Sequence, residues 1–268
     1  MINYRRCLKF AEQYGVKPEV IENDYFVECF LHAVAGDKDL SKMLIFRGGT
    51  CLHKVYFDNY RFSEDLDFVF VKGTDLPLLM GKLNSLIDGL KITLQGINVT
   101  EEKKEKSRLQ IMLGYNLVNE ITEGGKHLKL DICEAEDVPG NTAARIKYIY
   151  DEFKGADDNL LCYKLEAVVA DKISRINSIN KEARDIYDMK YLLQSNVDIE
   201  KVKDEYKRRF AYNLNPEDLI RKVKDKVYEG LWNYRLGHQV KELTEYKVFI
   251  KELEVLIKER FNISDDES

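Results

Sequence analysis

Two short groups of residues in this chain have the types and spacing of a site that binds phosphate and metal. The first, Gly48-Gly49-Thr50, ends a short apolar run and opens a helix-like segment. Glycines let the backbone approach a phosphate closely, and the free N–H groups of the next helix can then point at it. The second consists of Asp65 and Asp67, which share one face of a predicted strand and could hold a divalent metal ion between them. Together the two groups predict nucleotide chemistry.

A third carboxylate, Asp131, strengthens the prediction of a metal site. It lies on the polar face of the run HLKLDIC, whose other face is apolar. If this run neighbours the strand of Asp65 and Asp67, three carboxylates converge and could bind two magnesium ions, which could activate a hydroxyl and hold a triphosphate. Magnesium is favoured because the ligands are hard oxygens and the sequence has no His–Cys cluster. Lys129, on the same face, could contact phosphate or neutralise the acids.

The acidic pair also allows a simpler interpretation. Neighbouring like charges on a strand repel each other unless a positive group lies beside them. Asp65 and Asp67 could therefore lie on a solvent-facing strand edge, and the D-x-D pattern alone does not separate such an edge from a metal site.

Charged residues also lie among apolar ones on two consecutive predicted helices. In LCYKLEAVVADKISRINSI, Lys172 falls near the middle of the apolar arc, and in ARDIYDMKYLL, Asp185 falls within the arc and Asp188 at its edge. The lysine could extend its ammonium group to the surface, or it could form a buried salt bridge with the aspartate. Alternatively, both side chains could reach into a shared cleft, since charges in such surroundings often mark functional sites.

The elements that must position these residues form an α+β N-terminal half and an all-helical C-terminal half. Periodicity and turn signals predict domains at 1–155 and 156–268. The predicted helices of the first half are 4–14, 19–35, 50–57 and 76–90, and its strands are 43–46, 66–71, 109–117 and 128–133. The sequence EGGK suits a hairpin between the last two strands. From about Asn159 to about Phe261 the periodicity is helical.

Composition excludes several classes of protein. With 268 residues and 31.3 kDa the chain could form one large domain or two ordinary ones, and its hydrophobic fraction of 44% supports a core. No run approaches the roughly twenty apolar residues that a bilayer requires, and no secretory signal is visible. The five cysteines are scattered without a C-x-x-C pair, so neither a disulfide framework nor a zinc site is indicated. We therefore expect a cytoplasmic protein with no membrane partner.

Basic residues are available for binding RNA, although the net charge of −5 argues against a generally basic nucleic-acid-binding protein. The candidate patch consists of Lys207-Arg208-Arg209 and of segment 221–241, which also carries Tyr228, Trp232 and Tyr234. This arrangement suits contacts to an RNA backbone and stacking on its bases. It suits an ordinary amphipathic helix as well, and we give that interpretation precedence.

In combination, the motifs resemble those of the AbiEii/AbiGii family of nucleotidyltransferase toxins, within the DNA polymerase β-like superfamily. The similar stretches are FRGGTCLHKVY, RFSEDLDF, LKLDI, KLEAVVADKISRI and ARDIYDMKYLL, together with IENDYFVECFL, which resembles the family's N-terminal helix. The resemblance implies a polymerase β-like nucleotidyltransferase core with a small mixed sheet and flanking helices. It also implies that the helical C-terminal half completes the active-site cleft.

The resemblance also implies roles for individual residues. The implied catalytic residues are Asp65, Asp67, Asp131, Lys172 and Asp185, of which the first three would ligate two Mg²⁺ ions. The implied nucleotide-binding residues are Gly48, Gly49, Thr50, Lys54, Arg61, Ser63, Lys129 and Arg184, which would contact phosphate or brace the loop. Two positions depart from related sequences, since Gly48-Gly49 stands where many polymerase β-like enzymes have Gly-Ser, and Asn23 stands where a basic residue is common.

The function implied by this resemblance is that of a toxin that transfers a nucleotide from an NTP to an acceptor, with the 3′ end of tRNA as the favoured acceptor. Such a reaction would arrest growth or abort phage infection. A cognate antitoxin is expected to act on transcription or by phosphorylation and not by steric blockade, so a stable complex is not assumed. The alternatives are a small-molecule nucleotidyltransferase of the antibiotic-modifying type and a non-catalytic module that binds a nucleotide.

Overall fold

The computed structural model describes residues 1–94, 96–105, 107–121 and 126–263. The chain divides into two units, Met1–Cys162 and Tyr163–Ser268. This division falls at the end of the last strand of the sheet, whereas the sequence pattern places it after residue 155. Most of the predicted EGGK hairpin connection lies outside the described residues.

The first unit is built on a mixed sheet that has seven strands within the described residues. The strands are β1 (Leu44–Arg47), β2 (Asp65–Val71), β3 (Asn98–Glu105), β4 (Arg108–Gly114), β5 (His127–Ala135), β6 (Asn141–Arg145) and β7 (Asn159–Tyr163). Their order is β3-β4-β5-β2-β1-β7-β6. β2 is parallel to β5, and β1 is parallel to β7, while β1–β2, β3–β4 and β4–β5 are antiparallel pairs.

The alternation of apolar and polar residues decides which face of the central strands packs into the core. On β2 the side chains of Leu66, Phe68 and Phe70 are buried, and on β5 those of Leu128, Leu130 and Ile132 are buried. Because successive side chains of a strand point to opposite faces, the intervening acids must share the other face. The predicted apolar and polar faces of these two strands are confirmed.

The described residues of the first unit also form five α-helices and one π-helical turn. They are α1 (Tyr4–Tyr14), α2 (Pro18–Gly36), α3 (Leu40–Met43), α4 (Gly48–Cys51) and α5 (Leu76–Thr93), and a π-helical turn at Leu52–Tyr56 follows α4 directly. α2 has Pro18 in its first turn, a position that has no need of a backbone N–H. Most of α2 is buried, so it is the central helix of this unit.

In the described part of the second unit, all regular secondary structure after β7 is helical. Its helices are α6 (Leu165–Asn177), α7 (Ala183–Gln194), α8 (Ile199–Phe210), α9 (Pro216–Val223), α10 (Val227–Leu236) and α11 (Tyr246–Phe261). An aromatic cluster forms part of its core, in which the ring of Phe249 lies 4.7 Å from Trp232 and 5.6 Å from Tyr187 between centroids. Tyr228 is buried as well. Tyr228 and Trp232 are therefore core residues of an amphipathic helix and do not offer stacking surfaces to RNA.

Three strands differ from the sequence prediction. The helical periodicity assigned from Asn159 is wrong at its start, because residues 159–163 form β7, in which Leu160 and Cys162 are buried. An apolar run this short has no unambiguous period. β3 was not predicted because all of its residues are exposed, which removes the apolar alternation of a half-buried strand, and β6 likewise carries no buried residue.

The membrane prediction can be compared with the helices directly. None of the helices in the described part of the chain combines the length and the apolarity needed to cross a bilayer.

Candidate active site

The turn between β1 and α4 lies directly against the predicted acidic and basic residues. Gly48 has a φ of +81°, in the left-handed region, and a Cβ at this position would overlap a carboxylate oxygen of Asp67. A Cβ on Gly49 would overlap the guanidinium of Arg61 and would lie 3.2 Å from Ser63 Oγ. The structure thus brings the glycine turn together with Asp67, Arg61 and Ser63.

Thr50 connects this turn to the acidic strand. Its side chain is buried, and its hydroxyl donates a hydrogen bond to the backbone carbonyl of Asp65. Arg47, the N-cap residue of α4, makes no side-chain capping hydrogen bond to the first turn. The N–H groups at the start of a helix carry partial positive charge, so the turn can accept an anion.

The polar face of the sheet carries a row of charged residues at the level of this turn. Asp67 is the register partner of Arg47 on β1 and of Asp131 on β5. Asp65 is the partner of Lys129. Since β2 and β5 are parallel neighbours, the condition for bringing Asp65, Asp67 and Asp131 onto one face is met.

Asp131 is held by side chains of β4 and β5. Its Oδ1 accepts a hydrogen bond of 2.8 Å from Arg108 Nε, and its Oδ2 accepts from Arg108 Nη2 and, at 3.2 Å, from Gln110 Nε2. Lys129 Nζ lies 3.4 Å from Oδ2. Burial alone would raise the pKa of Asp131, but the hydrogen bonds from Arg108 and Gln110 hold that pKa well below its ordinary value. The carboxylate is therefore charged and a weak proton acceptor.

Asp65 and Asp67 fit a hard divalent cation by the chemistry of their side chains. Both supply carboxylate oxygens, which magnesium prefers, and the Asp67 carboxylate packs against Gly48, where a Cβ would overlap it. In the present arrangement, no three His, Cys, Asp or Glu side chains among the described residues form a group that could hold a metal ion. A two-metal site with Asp131 as a third ligand stays a prediction.

Lys54, in the π-helical turn, belongs to a buried ion-pair cluster. Its Nζ is 2.8 Å from Asp24 Oδ2 and 2.7 Å from Glu28 Oε1, and all three side chains are almost fully buried. Burial alone would lower the pKa of Lys54, but the two carboxylates raise it above its ordinary value. The predicted contact of Lys54 with phosphate would require it to leave both partners. Asn23, the position that departs from the family, donates a hydrogen bond of 3.1 Å to Tyr115 Oη.

In the second unit, Lys172 and Asp185 form the salt bridge that the helical spacing allowed. Lys172 Nζ lies 2.7 Å from Asp185 Oδ1 and 2.7 Å from Asp188 Oδ2. Arg175 Nε lies 2.8 Å from the other oxygen of Asp185. The three residues Lys172, Asp185 and Asp188 are buried, as their positions on the apolar arcs predict. Arg184 lies 3.3 Å from Glu182 in the same unit.

Two residues that contact Asp131 are not among the predicted site residues. Arg108 and Gln110 alternate with apolar residues of β4, so the sequence predicts that they share the polar face of that strand. It does not predict which strand lies beside them. Asp131 is twenty-three positions from Arg108, and only the antiparallel pairing of β4 with β5 brings them together. Combining the polar face of β4 with this pairing could have identified Arg108.

Comparisons with known proteins identify the family and the fold. The sequence model described as "Nucleotidyl transferase AbiEii toxin, Type IV TA system" matches residues 29–256, which is most of the chain. No protein with a curated description matches.

Among solved structures, MenT4, a nucleotidyltransferase toxin from Mycobacterium tuberculosis H37Rv, is similar with a TM-score of 0.65 and 16% identity. The match covers 93% of this chain and 86% of MenT4, and at this identity it shows a shared fold. The antibiotic-resistance factor ANT(2″)-Ia is similar with a TM-score of 0.42 and 16% identity, over 69% of this chain and 94% of that protein. From the match to the family model and the fold it shares with MenT4, this chain belongs to the AbiEii family, the nucleotidyltransferase toxins of type IV toxin–antitoxin systems.

Proposed function

We propose that this nucleotidyltransferase toxin moves a nucleotide from an NTP to the 3′ end of tRNA in a divalent-metal-dependent reaction, which arrests growth or aborts phage infection. The observation that carries the proposed chemistry is the contact of the Gly48 turn with Asp67, in a row that continues to Asp131. A phosphate-accepting turn and carboxylates on one sheet face are the two parts that nucleotidyl transfer needs.

In this reaction the acceptor hydroxyl attacks the α-phosphorus in line, and pyrophosphate leaves. We assign the backbone of Gly48 and Gly49 to the triphosphate, and Asp65 and Asp67 to Mg²⁺. A bound Mg²⁺ would neutralise phosphate charge and favour deprotonation of the attacking hydroxyl. Arg61 braces the turn by its packing against Gly49.

The remaining predicted residues have supporting assignments. We assign Asp131 to the third carboxylate of the site, near the acceptor hydroxyl, where Arg108 and Gln110 donate hydrogen bonds to its ionised form. In the second unit we assign Lys172 and Asp185 to nucleotide binding, as the family resemblance implies. For the cognate antitoxin we propose an action on transcription or by phosphorylation.

The choice of tRNA rests on family membership and not on a basic surface. Tyr228 and Trp232 are buried, and Arg209 lies against Asp171 at 2.6 Å. Arg208 lies 2.8 Å from Glu205. Of the three aromatic residues in this candidate patch, Tyr234 is the exposed one, at 75%. One exposed ring does not single out an acceptor, so the acceptor must be identified by experiment.

The experiment is to incubate the chain with total RNA, Mg²⁺ and each α-³²P-labelled NTP in turn. We expect label on RNA of tRNA size with a preferred NTP, and loss of that label on treatment with EDTA or in Asp67→Asn. Absence of label from all RNA would contradict the tRNA proposal. Label on an added aminoglycoside in place of RNA would establish the small-molecule alternative.

A further inference from the structure

Arg108 occupies both oxygens of the third predicted carboxylate. Its Nε lies 2.8 Å from Asp131 Oδ1, and its Nη2 donates to Oδ2. This fork-to-fork geometry is the strongest form of a charge-assisted pair. A divalent ion that used Asp131 as a ligand would need the oxygens that the guanidinium holds.

The two partners differ in their freedom to move. The side chain of Asp131 is only 6% exposed, whereas that of Arg108 is 43% exposed. Asp131 is also fixed by Gln110, which donates to Oδ2. The guanidinium can therefore withdraw into solvent while the carboxylate stays in place. Because arginine does not lose its proton in proteins, it can release Asp131 only by moving.

The other two predicted metal ligands lie on the neighbouring strand β2. The Asp67 carboxylate packs against Gly48, where a Cβ would overlap it, and Asp65 lies two residues away on the same face. Asp131 lies in register with Asp67 on the neighbouring strand. A first ion bound by Asp65 and Asp67 would thus meet, one strand away, a carboxylate that the protein has already neutralised.

We propose that Arg108 is an internal counter-cation of Asp131 that competes with a divalent ion, so that Asp131 accepts a metal only after the guanidinium has moved away. This inference rests on the proposed metal-dependent function. Arg108 is on this account a positioning residue, which sets how tightly the site holds metal. Lys129 supplies a matched control, because its Nζ is 3.4 Å from Asp131 Oδ2 and lacks the two-point geometry.

The test measures Mn²⁺ binding by the full chain without NTP. The electron paramagnetic resonance signal of free Mn²⁺ reports how much of the ion stays unbound. We expect Arg108→Gln to bind Mn²⁺ about tenfold more tightly than the wild type or to bind an additional ion, because a charged hydrogen-bonded competitor is removed. Lys129→Gln should change the affinity by less than about threefold. Arg108→Lys, which keeps the charge but not the fork, should fall between Arg108→Gln and the wild type.

The Asp131→Asn background separates competition from a general loss of positive charge. There, Arg108→Gln should give no gain in affinity. An equal gain in that background, or an affinity of Arg108→Gln no higher than that of the wild type, would overturn the inference while leaving the metal site intact. If neither the wild type nor Arg108→Gln binds Mn²⁺, the proposed metal site fails and the inference fails with it. Circular dichroism and thermal melting establish that each variant is folded.

Discussion

At position 48 the backbone has a φ of +81°, and a Cβ would overlap a carboxylate oxygen of Asp67. Gly48→Ala should therefore reduce nucleotide transfer about 100-fold, because even a small displacement of reacting groups is costly. It should also lower the free energy of unfolding by about 1–2 kcal/mol, because an L-residue is strained in the left-handed region. Labelled-NTP transfer and urea unfolding measure the two effects.

Gly89 is the matched control for this substitution. It lies inside α5, and a Cβ there would meet nothing within 4 Å. Gly89→Ala should keep full activity and raise the free energy of unfolding by about 0.5–1 kcal/mol, since alanine favours the helix. A Gly48→Ala protein as active as Gly89→Ala would contradict the assignment of the turn to the reaction.

At the scale of single residues, the sequence predicts which residues share a face of a strand better than it predicts which residues they contact. The two-residue period of a strand places Asp65 and Asp67 on one face without knowledge of the fold. The same reasoning cannot show that Asp131 is held by Arg108, because that contact depends on which strands become neighbours. Lys54 illustrates the same limit, since its partners Asp24 and Glu28 lie on a different helix.

The Lys54 cluster joins α2 to the π-helical turn and to a loop. Glu28 of α2 accepts hydrogen bonds from Lys54 Nζ at 2.7 Å and from the backbone N–H of Ile149 at 2.9 Å. Lys54→Met should lower the free energy of unfolding by about 3–5 kcal/mol, because it leaves Asp24 and Glu28 buried without a cation. Urea denaturation measures this loss.

Lys72 provides the comparison for Lys54. Its side chain is 65% exposed and its partner Glu136 is 85% exposed. Lys72→Met should change stability by less than about 0.5 kcal/mol, as for most exposed ion pairs. Equal stability of Lys54→Met and Lys72→Met would contradict the stabilising role of the buried cluster at the π-helical turn.

In the second unit, Glu182 links the start of α7 to α10. Arg235 Nε lies 3.0 Å from Glu182 Oε2, and Glu182 accepts a hydrogen bond from the backbone N–H of Arg184. Burial alone would raise the pKa of Glu182, but Arg235 and Arg184 lower it from its ordinary 4.5 to about 2. A carboxyl whose pKa is lower in the folded than in the unfolded state stabilises the fold at pH values above its unfolded-state pKa. This stabilisation is lost as the pH falls through the folded-state pKa.

Glu182→Gln should therefore be about 1–2 kcal/mol less stable than the wild type at pH 7. This loss is smaller than the pKa shift alone would give, because Arg235 is partly exposed and solvent screens the pair. The difference should shrink between pH 4.5 and pH 2, where the wild-type carboxyl becomes protonated. Urea unfolding at several pH values measures it. Glu229→Gln is the control, since Glu229 is 48% exposed beside Lys247, and its free energy of unfolding at pH 7 should differ little from that of the wild type. A constant deficit of Glu182→Gln down to pH 2 would contradict the linkage.

Among the secondary-structure elements, sequence reasoning succeeds where a long periodic pattern exists. The predicted helix at 4–14 matches α1, and 19–35 corresponds to α2 within one residue at each end. It fails for β3, whose exposed residues carry no pattern, and for β7, whose five residues are too few to reveal a period. These strands are defined by their neighbours in the sheet.

For the whole molecule, the mixed sheet followed by helices is the fold shared with MenT4, and the family match extends over both units. Composition alone could show only that a core and no membrane span were expected. The combination of the glycine motif, the D-x-D strand and the later helical motifs is more specific, because each element occupies its own place in the chain. The activity as a nucleotidyltransferase toxin follows from that family membership.

The central claim is that transfer depends on the carboxylates beneath the Gly48 turn. The most direct measurement compares α-³²P-nucleotide incorporation by the wild type and by Asp65→Ala/Asp67→Ala, with circular dichroism and urea unfolding to establish that both are folded. We predict that the folded double variant loses incorporation by at least about 1,000-fold, as expected when charge stabilisation at the reacting phosphate is removed. Undiminished incorporation by the folded double variant would contradict the assignment of Asp65 and Asp67 to the reaction.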